Sequence, residues 1–148
     1  MAKSKSYEGF TEEERAAMKE RAAELKSSSR GGSAAKKAEA EAQDCLDKIA
    51  SMPDAERVIA EKVHAIVTAT APELAPKTWY GMPAYARDGK PVLFFKNGSK
   101  FKMRYSEVGF SEWAALDDAE LWPTAYAVTA MSPKVEKQLT ALVKRAVS

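Results

Sequence analysis

The chain is poor in the residues from which most reactive and metal-holding sites are built. It has one cysteine, Cys45, and one histidine, His64, in 148 residues. A single cysteine excludes an intrachain disulfide and fits a reducing, cytoplasmic setting. One cysteine and one histidine cannot supply a Cys/His zinc spacing. A Ser-His-Asp triad would have to use His64, and no nucleophile-elbow sequence accompanies it. The seven glycines form neither a phosphate loop nor a dinucleotide fingerprint. The longest compact apolar run, "VLFF", is far short of the roughly twenty residues of a membrane span. The start, "MAKSKSYEGF", lacks the apolar segment of a secretory signal. A formal charge of +2 gives no general attraction to nucleic acid or an anionic membrane. These absences argue against an enzyme and leave a non-catalytic binding domain as the leading class.

What is present is ordinary for one globular domain: 45% apolar and 30% charged residues. Residues 11–26 predict a helix. Thr11 and Glu14 match a capping box, and the acidic first turn suits the helix dipole. Its apolar positions are mostly alanine, so it can bury little area. With "SSSRGGS" after it, residues 1–33 read as a flexible or loosely docked extension, held by Phe10, Met18 and Leu25. The domain proper is expected over 34–148.

A second helix is predicted over 34–51, on the stripe Ala34, Ala38, Ala42, Cys45 and Ile49. A third follows, capped by Ser51, with Ile59, Val63, Ile66 and Thr70 on one face, and ends at Pro72. The period then changes to two. "TWYGMPAY", residues 78–85, reads as an irregular first strand, with Pro83 implying an edge or a bulge. Asp88-Gly89 and Asn97-Gly98 signal hairpins. "KFKMRY", residues 100–105, reads as a strand with Lys100, Lys102 and Arg104 on one face. A turn or short helix capped by Ser111 and a strand opened by Pro123 lead to a closing helix. Ser132 caps that helix and Val135, Leu139, Leu142 and Ala146 form its buried stripe. Helices, a meander of about four strands, then a helix: the pattern is α+β.

Charge is unevenly placed. Residues 86–105 carry six bases against Asp88, whereas residues 106–122 carry five acids and no base. The aligned Lys100, Lys102 and Arg104 could attract a phosphate or carboxylate, although three bases make a small footprint for nucleic acid. Beside them, Trp79, Tyr80, Met82 and Tyr85 could wall a small-molecule site. The alternative for each group is plain: a solvated charged face and a packed core strand. Glu41, Asp44 and Asp47 share a helical surface and offer oxygen ligands to a hard cation, again with a solvated face as the alternative. A third possibility is an interaction module that uses the N-terminal helix as its arm.

At "KTWYGMPAYARDGKPVLFF", then "KFKMRY" and "LDDAELWPTAYAV", the sequence resembles the YdhG-like family, small bacterial proteins known mainly as a domain of unknown function. The resemblance covers roughly residues 36–147. Its most specific parts are Tyr80-Gly81-Met82-Pro83, Lys77 ahead of it and Gly89-Lys90 after it. It implies a two-layer domain similar to the frataxin fold, with helices on one side of an antiparallel sheet of about four to six strands. It also implies an iron-chaperone role, with weak, exchangeable iron binding by exposed carboxylates such as Glu41, Asp44 and Asp47.

Overall fold

The computed structural model describes residues 9–28 and 32–148. The parts of the predicted extension at 1–8 and 29–31 lie outside the described residues. In chain order come α1 (Glu12–Ser28), α2 (Ala34–Ala50), α3 (Asp54–Thr70), β1 (Ala75–Trp79), β2 (Met82–Arg87), β3 (Lys90–Lys96), β4 (Ser106–Phe110), β5 (Ala125–Val128) and α4 (Pro133–Ala146). The strands form one antiparallel meander in sequence order, and the fold is α+β. No described helix is long and apolar enough to cross a membrane.

Strand register decides which side chains meet the helices. Tyr85 pairs with Leu93, Leu93 with Phe110, Phe95 with Val108, and Val108 with Tyr126. Paired residues share a face, so these side chains form one surface. They join a single core with Cys45 and Ile49 of α2, Ile59, Val63 and Val67 of α3, and Leu139 and Val143 of α4. Each such side chain contributes about 1.5–3 kcal/mol when fully removed from water. The other face carries Trp79, Met82, Ala84, Phe94 and Gly109. There the Trp79 and Phe94 rings lie 5.3 Å apart.

Local chemistry accounts for most element ends. Thr11 Oγ1 accepts from the Glu14 amide at 3.0 Å, and Glu14 Oε1 from the Thr11 amide at 3.3 Å, closing the expected capping box. Ser132 accepts from the Val135 amide, with Pro133 in the first turn of α4. Ser51 does not cap α3. It terminates α2, and Pro53 takes the N-cap place of α3. The Asp88-Gly89 hairpin forms between β2 and β3 as expected.

Three further expectations are corrected. Residues 78–85 are not one strand. Trp79 closes on Met82, and Tyr80-Gly81 is a two-residue turn with φ of 52° and 73°. Two positive φ values match the twist of the flanking strands, which is why such turns dominate hairpins. Pro83 is therefore not at an edge. It follows the hydrogen-bonded closing pair, so its nitrogen turns away from β1. That nitrogen faces β3, whose pairing with β2 runs from Ala84 to Arg87 with a register shift between Tyr85 and Ala86.

Residues 100–105 are not a strand either. The Phe101 and Met103 amides both donate to the Gly98 carbonyl, at 3.2 and 2.8 Å, and Lys102 has φ of 53°. The chain coils there, and β4 begins at Ser106, whose hydroxyl accepts from the Gly98 amide at 3.0 Å. Lys100, Lys102 and Arg104 consequently share no strand face. Finally, of the three residues expected to hold α1, Phe10 and Leu25 are 45% and 52% exposed and Met18 is half-buried; the one buried residue of α1 is Ala17.

Candidate functional site

The most organised polar cluster lies where α1 crosses the β1–β2 turn. Positive φ at both turn residues leaves two consecutive backbone amides pointing outward. Glu24 of α1 takes both: the Tyr80 amide donates to Oε1 at 2.9 Å and the Gly81 amide to Oε2 at 3.1 Å. Charge-assisted bonds of this kind are roughly twice as strong as neutral ones. Glu24 is only 14% exposed, and Arg21, one helical turn away, supports it at 3.5 Å. The Arg21 guanidinium also lies 5.8 Å over the Tyr80 ring.

Lys100 completes the arrangement. Its ammonium donates to the Gly81 carbonyl at 3.2 Å and to the Glu20 carboxylate. Lys48 of α2 reaches the other oxygen of Glu20 at 3.4 Å. A Cβ on Gly81 would strike both Glu20 and Lys100. The glycine is thus required twice, for its φ and for the close approach of charged groups to bare backbone. Farther along α1, Glu13 meets Lys102 at 2.8 Å, and that bond holds its carboxyl below the usual carboxylate range. Without α1, the 34–148 portion would present two amides and two ammonium groups around Gly81. Such a set receives a carboxylate or phosphate.

The predicted aromatic wall does not form as one surface. Tyr85 is wholly buried on the helix side, whereas Trp79 and Met82 face the opposite side and Tyr80 sits in the turn. Tyr85 cannot touch a ligand. Its hydroxyl meets His64 Nδ1 at 2.9 Å, and Cys45 is fully buried in the same core as Tyr85. Burial pushes the Cys45 thiol up to about 11 and lowers the His64 pKa. Of the three predicted bases, Lys100 and Lys102 meet α1 carboxylates, and Arg104 lies over the Tyr105 ring at 5.2 Å.

The predicted metal trio lies on the α2 side of the same region. Glu41 approaches Lys77 at 3.9 Å, Asp47 accepts from the Gln43 side-chain amide at 2.8 Å, and Asp44 is exposed along the α1–α2 cleft. Among the described residues, no three His, Cys, Asp or Glu side chains gather into a set that could hold a metal.

Sequence reading missed Glu20, Glu24 and Lys48. One signal was available: Glu13, Ala17, Glu20 and Glu24 recur at steps of four, three and four, which is one helix face. An acidic docking face was hidden because helices normally dock by their apolar stripe. No protein-family model matches this chain, and no match is found among curated proteins or solved structures.

Proposed function

We propose that this protein is a non-catalytic binding domain that recognises a single anionic group, a carboxylate or phosphate, at the β1–β2 turn. The observation that carries this reading is the convergence of the Tyr80 and Gly81 amides with the Lys100 ammonium. Fixed backbone donors bind an anion with no side-chain entropy to lose, and Lys48 and Lys100 add charge at a partly buried position. The reading places recognition on Tyr80-Gly81, the stretch on which the YdhG-like resemblance rests.

The test uses Glu20→Ala/Glu24→Ala, which clears the site while alanine keeps α1 a good helix. Phosphate and succinate are titrated separately, with sodium chloride matched for ionic strength. The Tyr80 and Gly81 amide resonances are expected to shift saturably with at least one of them. A flat response to both overturns the reading.

A second reading is the iron-carrying role that the resemblance implies. One observation favours it: Glu20, Glu24, Asp44 and Asp47 line one groove between α1 and α2, though they do not converge into a ready-made ligand set. Lys48 lines the same groove, so any iron held there would be weakly bound and exchangeable. Anaerobic titration with ferrous and ferric iron, followed by amide NMR, tests it. Broadening confined to α1 and α2 supports iron carriage, and uniform or absent broadening removes it.

A further inference from the structure

We propose that helix α1 is a built-in occupant of the anion site, so that external anion and docked helix exclude one another. This rests on the anion-binding reading above and adds its regulation. The sites coincide atom for atom: both amides of the Tyr80-Gly81 turn are taken by Glu24, and Lys100 is taken by Glu20. Gly81 carries no side chain, and a Cβ there would collide with the Glu20 carboxylate, so helix and turn are in direct contact. While those carboxylates stay, neither turn amide has a hydrogen bond left to give a second anion.

The way α1 is held makes it releasable. Its docking face is Glu13, Ala17, Glu20 and Glu24, of which only Ala17 is apolar and buried. Of the large apolar residues that could anchor it, Phe10 and Leu25 are 45% and 52% exposed and Met18 is half-buried. Glu20 and Lys48 keep about a third of their side-chain surface in water and Lys102 keeps 76%, whereas Glu24 and Lys100 keep 14% and 21%. The exposed ion pairs are screened by salt over a Debye length of about 8–10 Å, and the more buried Glu24 and Glu20 carboxylates are displaced only by an anion that takes their donors. A helix docked by an apolar stripe would respond to neither.

The experiment has two arms on the full chain. In the first, phosphate and succinate affinities are measured for the wild type and for E20A/E24A by the Gly81 amide shift. Occupancy by α1 predicts binding at least tenfold tighter in the variant. Equal affinities would leave anion binding standing and overturn the occupancy proposal. No binding to the variant would overturn the anion reading itself, and the occupancy proposal with it.

In the second arm, hydrogen exchange of the wild-type α1 amides is followed at constant ionic strength. Exchanging chloride for phosphate, or for succinate if that is the tighter ligand, is expected to raise α1 exchange at least severalfold while β2 and β3 amides stay protected. Saturation of the Gly81 shift without any rise in α1 exchange would show that helix and anion coexist, and the proposal would fall. This arm needs no variant, so it holds even if the double substitution unfolds the chain.

Discussion

The Tyr85 hydroxyl meets His64 Nδ1 at 2.9 Å, and the two rings lie 5.6 Å apart. Tyr85 is fully buried, and its hydroxyl links β2 to α3. Replacing Tyr85 with Phe keeps the ring and removes that oxygen. His64 is half-buried and can turn to water. A loss of about 1 kcal/mol is expected in urea unfolding. A loss several times larger would show that the oxygen, not the ring, organises the core.

The same contact predicts a pH dependence. Burial lowers the His64 pKa below its ordinary value of about 6.5. Above that value the imidazole is neutral in both states, and its contribution is complete. As pH falls, the unfolded chain binds the proton first, so stability declines until pH passes below the lowered folded value. Unfolding midpoints taken between neutral and mildly acidic pH should show this decline in the wild type. His64→Gln should remove that part of it.

Cys45 should be inert in the folded chain. It is fully buried, and its thiol is pushed up to about 11, so almost no thiolate exists at neutral pH. A thiol-specific chromogenic disulfide reagent should react only on denaturation. Stoichiometric reaction of the native protein within minutes would contradict the placement of Cys45 beneath β2.

Gly81→Ala tests the turn from both sides. The residue has φ of 73°, and the new methyl would meet Glu20 and Lys100. Strain in the left-handed region costs on the order of 1–3 kcal/mol. Loss of α1 protection in hydrogen exchange should accompany it, because the methyl displaces the helix's own carboxylate. A destabilised domain with α1 still protected would mean the helix is held elsewhere.

On the far face of the sheet, the Phe94 ring lies directly over Gly109, where a Cβ would strike it. Gly109→Ala must push that ring aside and disturb its packing with Trp79. Overpacking of this kind costs about 1–3 kcal/mol. Phe94→Leu in the same background should recover part of the loss by vacating the space. A neutral Gly109→Ala would show the far face to be loosely packed.

Helices were the most legible elements, because their caps and stripes are local. Thr11 with Glu14, and Ser132 with Pro133, were each readable within four residues. The strands were legible in class and less so in register. "KFKMRY" alternates as a strand should, yet the chain coils there, because bonds to the Gly98 carbonyl outweigh a pattern that has no adjoining ladder. The Tyr80-Gly81 turn escaped notice because Tyr, unlike Asn or Asp, rarely takes positive φ.

The sequence alone determined the α+β class, the caps that open α1 and α4, and the Asp88-Gly89 hairpin. All of these follow from residue type and short spacing. Only the tertiary structure decided that Tyr85, His64 and Cys45 meet in the core, and that Glu20 and Glu24 settle on a turn more than fifty residues away. Both outcomes depend on which sheet face the helices cover and where α1 crosses the hairpin. Alternation along a strand cannot specify either, since it gives two faces without saying which one is buried.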